Sequence, residues 1–204
     1  MEADNQAGFD SSNTRFGEHR WQLAIKVIDA LNKLNINWMV DSGTLLGVIR
    51  DGVFLPHDDD FDIAIQPQGY LGSQSLNEIC QRIAKELPHV CCRCVTSFAH
   101  TIEVYLPEYG SYTRTNPFYQ GTDFHHVTVD LQIQLPWPFD NEYIVTNTGQ
   151  AIDKSLIEPK SKMRFRDVML NIPHQPKAYL KELYGSINPN ATYDPLLKKW
   201  VDKP

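Results

Sequence analysis

Residues 41–65 of this 204-residue chain read DSGTLLGVIRDGVFLPHDDDFDIAI, a Gly-Thr turn followed by four aspartates within five positions. The stretch then becomes apolar at alternate positions, at Phe61, Ile63 and Ile65. Carboxylates packed against an apolar strand repel one another and lose hydration, so they are costly unless a divalent cation neutralises them. The stretch therefore predicts a metal-dependent active site.

The alternation also predicts which acids act together. If Phe61, Ile63 and Ile65 point inward from a strand, Asp60 and Asp62 share the opposite face and can bind one Mg²⁺ or Mn²⁺. The competing interpretation is a solvated acidic turn, but such a turn does not require an alternating apolar strand directly after it.

The residues upstream complete a recognisable unit. Residues 36–40 alternate as a strand and lead into Ser42, Gly43 and Thr44, where we expect free N–H groups to hold a phosphate oxygen as a helix begins. Strand, Gly-Thr turn, short helix and Asp-x-Asp strand are typical of a nucleotidyltransferase core. The expected fold class is therefore α/β (α+β), a mixed sheet with flanking helices.

At this point the chain resembles the LicD/fukutin-related family. The match consists of GTLLGVIR at residues 43–50 and PHDDDFD at residues 56–62, with His57 replacing the tryptophan usual in the family. Residues 165–173 and 179–185 are similar to the family's closing segment, so the resemblance covers about residues 19–185.

The resemblance implies an activity. Family members are associated with moving phosphocholine or an alditol phosphate from a CDP-linked donor to a hydroxyl of a glycan or glycoconjugate acceptor. Asp58 would be a second metal ligand or the base that takes the acceptor's proton, and His57 a substrate contact. Two alternatives remain open: a nucleotide-sugar glycosyltransferase with an Asp-x-Asp motif, and an inactive nucleotide- or glycan-binding module.

A third carboxylate is expected on a neighbouring strand. Residues 126–135 alternate cleanly, with Asp130 on the face opposite the apolar residues. Glu103 is the competing candidate. The predicted metal ligands are thus Asp60, Asp62 and Asp130.

Arg50 ends the motif helix and is the predicted phosphate clamp. The alternative is a salt bridge to Asp58 or Asp59, and Arg164 and Arg166 are weaker candidates for the same work.

Composition limits the partners. The net charge of −6 and the pI near 5.6 do not indicate a nucleic-acid surface, and no apolar run is long enough for a transmembrane segment. The cellular compartment stays open. Residues 1–18 are expected to be irregular and residues 19–204 to form one catalytic domain.

Simple periodicities predict the remaining elements. Helices are expected over residues 19–34 and around Leu76–Leu87, two short strands within residues 90–106, and a long aromatic loop over residues 107–123. On the first of those strands, Cys92 and Cys94 would share one face and Cys91 the other. Their state is left open between buried thiols, a disulfide and a zinc site that this geometry disfavours.

Overall fold

The computed structural model describes residues 12–56, 58–67, 73–95, 100–113 and 122–203. Within them the α-helices are α1 (Ser12–Lys33), α2 (Ser42–Arg50), α3 (Ser73–Glu86) and α4 (Pro176–Tyr184). The strands of the central sheet are β1 (Asn37–Val40), β2 (Asp62–Gln66), β3 (Cys91–Val95), β4 (Thr101–Tyr105) and β7 (Thr128–Ile133). Smaller pairings involve β5 (Ser111–Thr113), β6 (Asp123–His125), β8 (Leu135–Pro136), β9 (Tyr143–Val145), β10 (Ala151–Asp153), β11 (Ser161–Phe165), β12 (Val168–Ile172), β13 (Thr192–Asp194) and β14 (Lys199–Val201).

The central sheet runs in the order β1-β2-β7-β4-β3. Only β2 and β7 pair in parallel within it, and the other neighbours are antiparallel. A mixed sheet with helices packed on it confirms the expected α/β class. The register places Asp62 opposite Asp130, and Asp130 opposite Glu103.

Period-two alternation divides the sheet into an apolar and a polar face. Val129, Leu131 and Ile133 of β7 are buried in the main apolar core. Asp130, Gln132 and Gln134 occupy the intervening positions, and the two glutamines bond to residues at the start of α2. The polar face is therefore the one that α2 covers, and it carries the acids of the site.

Helix α1 begins earlier than expected. The apolar spacing predicted a start near residue 19, whereas the helix begins at Ser12. Phe16 supplies the reason, because its ring packs against His126 at 5.0 Å and Tyr109 at 5.9 Å between centroids. That support comes from residues distant in sequence, which helical periodicity cannot reveal.

The expected loop over residues 107–123 is partly ordered into secondary structure. It contains a 3₁₀ turn at Pro107–Tyr109, and β5 pairs with β6 just beyond it. The rings of Tyr112 and Phe124 contact each other across this hairpin at 5.8 Å. The loop's other aromatic residues, Phe118 and Tyr119, lie outside the described residues.

Other elements match their predictions. Helix α3 buries Leu76, Ile79, Cys80 and Ile83, and the two short strands expected within residues 90–106 are β3 and β4. No described helix is both long and apolar enough to cross a membrane.

Candidate active site

Two glycines let α2 lie close to the acidic loop. A Cβ on Gly43 would lie 2.7 Å from Oδ2 of Asp58, and one on Gly47 would lie 2.6 Å from the carbonyl oxygen of Val53. Both contacts are shorter than carbon atoms tolerate. The Gly-Thr-Leu-Leu-Gly motif therefore brings the helix against the loop that carries Asp58.

The start of α2 orients Asp62. The Gly43 N–H donates to Oδ2 of Asp62 at 3.1 Å, and the Thr44 hydroxyl accepts from the Asp62 N–H at 2.8 Å. Gln132 donates to Oδ1 of Asp62 at 2.5 Å and accepts from the Ser42 hydroxyl at 2.9 Å. These bonds fix the carboxylate of a buried residue at the beginning of β2.

This arrangement corrects one expectation about the turn. The N–H groups of Ser42 and Gly43 were expected to be free for a phosphate oxygen, but they donate to the carboxylates of Asp41 and Asp62. These two N–H donors therefore orient the carboxylates of the protein itself. Substrate contact by Ser42, Gly43 and Thr44 stays a prediction.

The tightest group of ligand atoms lies just before β2. Among the residues that the structure describes, Asp58, Asp59 and Asp60 are the one group of three acids, histidines or cysteines whose ligand atoms all lie within 4.8 Å of one another. Asp59 was not a predicted ligand. Strand β2 begins only at Asp62, so Asp60 precedes the strand instead of sharing a face with Asp62 within it.

The neighbouring strands distinguish Asp130 from Glu103. Glu103 is 4% exposed, forms an ion pair with Arg93 and is hydrogen-bonded to Nδ1 of His125 at 2.9 Å. Asp130 accepts a hydrogen bond from the Thr128 hydroxyl at 3.3 Å and lies in register with Asp62. The geometry favours Asp130 as the third carboxylate, because Glu103 is already neutralised.

The acids repel one another. Burial, and after it the charge of Asp60, raises the pKa of Asp58, Asp62 and Asp130 well above the usual range of a carboxyl group. Several carboxylates in one dry space disfavour each other's ionisation. A bound divalent cation would reverse that effect, and the all-oxygen donor set suits a hard ion such as Mg²⁺ or Mn²⁺.

Arg20 of α1 is a cation of the site that sequence reasoning missed. It is 4% exposed, and its guanidinium donates to the carbonyl oxygens of His126 at 2.8 Å and Asp58 at 2.9 Å. Burial lowers its pKa, and the charges of Asp60 and Asp59 oppose that shift. A signal existed, since Arg20 shares helical spacing with the buried Ala24, Val27 and Leu31.

Arg50, the predicted clamp, points its guanidinium at its own neighbour. Its Nε and Nη2 atoms donate to the two oxygens of Asp51 at 2.9 and 2.7 Å. The pair is neither the alternative bridge to Asp58 or Asp59 nor a contact with the acidic group. His57, the predicted substrate contact beside these acids, lies outside the described residues.

A cavity of about 340 Å³ opens beside the acids. Its lining includes Arg20, Asp58 and Asp60, together with Phe54 and Arg166. The cavity thus joins the acidic group to two guanidinium groups and an aromatic ring. Such a lining suits a substrate with both phosphate and apolar parts.

Arg166 is held at the wall of this cavity by aromatic rings. Its guanidinium carbon lies 5.5, 5.2 and 5.9 Å from the ring centroids of Trp21, Phe54 and Phe165. It also forms an ion pair with Glu18 at 2.8 Å. Arg166, a weaker candidate than Arg50 for the phosphate contact in the sequence, therefore lies at the cavity, whereas Arg50 pairs with Asp51.

Tyr112 of the β5–β6 hairpin reaches the same group, since its hydroxyl donates to Oδ2 of Asp59. Its ring also stacks on that of His126 at 5.0 Å between centroids. Residues 59 and 112 are far apart in sequence, so no local pattern could predict the contact. The hairpin is thereby part of the site's wall.

A buried network of polar side chains contacts the start of α2. The Tyr179 hydroxyl donates to Oδ1 of Asp41 at 2.7 Å, and Gln134 donates to Oδ2 of Asp41 at 3.0 Å. Burial raises the pKa of Asp41 to about 6 even though these bonds favour its charged form. Neither Gln134 nor Tyr179 was a predicted site residue, although Gln134 follows Asp130 and Gln132 at alternate positions.

Comparisons with known proteins show the family of the chain. The chain matches the family model described as LicD/FKTN/FKRP, nucleotidyltransferase domain, over residues 35–175. An uncharacterized protein of Rickettsia typhi is 33% identical over 84 residues, which cover 38% of this chain and 27% of that protein. An uncharacterized protein of Rickettsia prowazekii is 38% identical over 56 residues, which cover 28% of this chain and 21% of that protein. The chain spans about a quarter of the length of these relatives.

Proposed function

The chain belongs to the LicD/FKTN/FKRP family of nucleotidyltransferase domains, and from that premise we propose that it moves a phospho-substituent from a CDP-linked donor to a hydroxyl of a glycan. The transferred group would be phosphocholine or an alditol phosphate. The observation that carries the proposal is the group formed by Asp58, Asp59 and Asp60, whose ligand atoms lie within 4.8 Å of one another, and of which Asp58 and Asp60 line a cavity.

The acids fit a divalent cation. Asp58, Asp59 and Asp60 offer oxygens at the spacing of a shared ion, and Asp62 and Asp130 add charge from the adjacent strands. Mg²⁺ and Mn²⁺ prefer such ligands. When bound, the ion would neutralise charge on the diphosphate of the donor.

The remaining residues would position the reactants. Arg20 holds the acidic loop through the Asp58 carbonyl oxygen and is part of the cavity wall, where a guanidinium favours a bound phosphate. Arg166 also lines the cavity and would offer a second guanidinium to the substrate. Asp58 lies against Gly43 and would either bind the cation or take the proton of the attacking hydroxyl.

The test is to identify the nucleotide that is released. The protein would be incubated with Mg²⁺ or Mn²⁺, CDP-choline, CDP-ribitol, CDP-glycerol or UDP-sugars, and a mixture of glycans, and the nucleotides then separated by chromatography. Moving the phosphate with its substituent breaks the diphosphate and leaves CMP. The proposal expects CMP from the wild type and none from the variant Asp62→Asn.

Other outcomes would contradict the proposal in defined ways. Release of UDP or CDP would indicate a nucleotide-sugar glycosyltransferase, because that reaction leaves the nucleoside diphosphate intact. Tight nucleotide binding without release, and without slow donor hydrolysis, would indicate an inactive binding module.

A further inference from the structure

A second cavity, of about 470 Å³, adjoins the cavity that contains the acids. Val53 and Arg166 line both cavities, so the two meet at these residues. The second cavity is also lined by Val48 of α2 and by residues 163–165 of β11. Its volume falls within the roughly 300 to 1,000 Å³ that is typical of small-molecule sites. A ligand bound there would therefore lie next to whatever the first cavity holds.

The lining of this second cavity combines apolar side chains with positive charge. Its apolar members are Val48, Val53, Met163 and Phe165. Among the residues that the structure describes, its charged members are Arg164 and Arg166, and no carboxylate lines it. The side chain of Val53 belongs to a residue that is 56% exposed, so part of the apolar surface is open to solvent. Such a lining suits a sugar whose C–H groups pack on the apolar surface and which carries an anionic group.

Arg164 has a guanidinium that the protein does not neutralise. It is exposed and forms no ion pair with any described residue, whereas Arg166 is paired with Glu18. Its Nε atom donates to the carbonyl oxygen of Arg166 at 3.4 Å, next to the turn between β11 and β12. The other N–H groups of the guanidinium form a planar fork that matches a phosphate or a carboxylate. Arg164 can therefore supply the anion contact of the second cavity.

The backbone at Arg166 indicates a functional role for the same turn. Phe165 pairs with Val168, so Arg166 and Asp167 form a two-residue turn, and Arg166 has a φ of 52°. Left-handed positions of such turns favour glycine, asparagine or aspartate over a long side chain. The aromatic and ionic contacts of the side chain hold the arginine in this conformation. An unfavourable backbone conformation that is retained where two cavities meet is typical of a functional residue.

We propose that the second cavity binds the acceptor, and that this acceptor is a sugar with a phosphate or carboxylate group that Arg164 contacts. The inference rests on the proposed function, which assigns the cavity beside the acids to the CDP-linked donor. The sugar ring packs on the apolar surface at Val53, and Arg166, which lines both cavities, contacts donor and acceptor alike. A neutral sugar gains no ionic contact with Arg164, so the cavity selects an anionic one.

Direct binding measurements test the proposal without any turnover. The folded chain is titrated calorimetrically, with no donor present, with glucose 6-phosphate, glucuronic acid and glucose. At least one of the two anionic sugars is expected to bind about tenfold or more tightly than glucose, and their order distinguishes a phosphate from a carboxylate. A saturating amount of CDP with Mg²⁺ should leave this affinity within about twofold, because the nucleotide occupies the other cavity.

Two variants locate the anion contact. Arg164→Gln should weaken binding of the anionic sugar about tenfold or more and leave CDP affinity unchanged. Lys162→Gln is the matched control, because Lys162 is an exposed cation at an alternate position of β11 that does not line the cavity. It should change neither affinity, and thermal unfolding verifies that both variants are folded.

The outcomes separate this inference from the proposed function. No preference for an anionic sugar over glucose, displacement of the sugar by CDP, or an equal loss in Arg164→Gln and Lys162→Gln would overturn the acceptor site, even if the protein releases CMP. Sugar binding that depends on Arg164, without any CMP release from the donors, would instead refute the transfer reaction and retain the sugar site.

Discussion

At the scale of single residues, neighbouring carboxylates of the site differ in their counter-charges. Glu103 forms an ion pair with Arg93 and a hydrogen bond with His125, whereas Asp130, directly opposite on β7, has Asp62 as its neighbour on the other side. Glu103 is thus stabilised by its surroundings. Burial and the neighbouring acids disfavour the charged form of Asp130, and a bound cation would offset that penalty.

This difference predicts opposite effects for two isosteric variants. Without metal, Asp130→Asn should raise the free energy of unfolding by about 1 kcal/mol, because it removes a repelling charge. The same change should weaken metal-dependent CDP binding by about tenfold or more. Glu103→Gln should instead lower stability by about 1 to 3 kcal/mol and leave CDP affinity unchanged.

Urea denaturation and calorimetric titration with CDP and Mn²⁺ measure both quantities on each variant. Loss of CDP binding in Glu103→Gln, with binding retained in Asp130→Asn, would reverse the assignment of the third carboxylate.

The two arginines give a second matched pair. Arg20→Lys keeps the charge but cannot reach the carbonyl oxygens of both His126 and Asp58, so it should lower stability by about 2 kcal/mol and weaken CDP binding. Arg50→Lys disturbs an ion pair with the adjacent Asp51 and should change stability by no more than about 0.5 kcal/mol.

Thermal and urea unfolding, with CDP titrations on the same preparations, compare the two variants. If Arg50→Lys alone weakens CDP binding, Arg50 is the phosphate clamp that the sequence predicted.

At the scale of elements, one buried network joins three of them. Asp41 at the start of α2 accepts from Gln134, which follows β7, and from Tyr179 of α4. The pKa of Asp41 is raised from 3.8 to about 6, so the folded state holds the proton more tightly than the unfolded chain. The Asp41 contribution to the free energy of unfolding must therefore fall as the pH rises from about 4 to 6.

The network thus predicts a pH dependence. Between pH 4 and 7, the stability of Asp41→Asn relative to the wild type should rise by on the order of 3 kcal/mol, as expected for a shift of about two pKa units. The other buried acids are common to both chains, so the difference follows the titration of Asp41 together with the smaller effect of its charge on the pKa of Asp62. Urea denaturation across this range provides the measurement, and parallel pH profiles would refute the assignment.

The elements that could be predicted are those with local patterns. Alternation of apolar residues predicted β2, β7 and the position of Asp130 on the polar face of β7. Helical spacing predicted α3 and its buried residue Cys80. The early start of α1, the β5–β6 hairpin and the contact of Tyr112 with Asp59 depend on partners far along the chain. Sequence periodicity carries no information about such partners.

At the scale of the whole molecule, the site lies where several elements meet. Helix α1 contributes Arg20, the loop before β2 contributes Asp58–Asp60, strands β2 and β7 contribute Asp62 and Asp130, and the β11–β12 turn contributes Arg166. The net charge of −6 gives no broad attraction for a phosphorylated donor. Recognition of an anion must therefore come from local cations, of which Arg20 and Arg166 line the cavity.

The separation of the site residues along the chain explains which of them could not be predicted from the sequence. The motif of residues 41–65 carries most of the acids, and its glycines explain how α2 approaches them. Arg20 lies 106 positions from His126, to which it bonds, and the sequence predicted Arg50 in its place. Charge and motif position were sufficient to predict the acids, but they could not predict Arg20, the cation that the fold places beside them.

The proposed function depends most directly on a divalent cation held by Asp58, Asp59 and Asp60 at a nucleotide site. Crystals of the protein grown with CDP and Mn²⁺ would test it through the anomalous scattering of manganese. An anomalous peak is expected among the carboxylate oxygens of these three residues, beside the diphosphate of CDP, and this peak should be lost in Asp60→Asn. A bound CDP without a manganese peak at these residues, or a peak at another place, would contradict it.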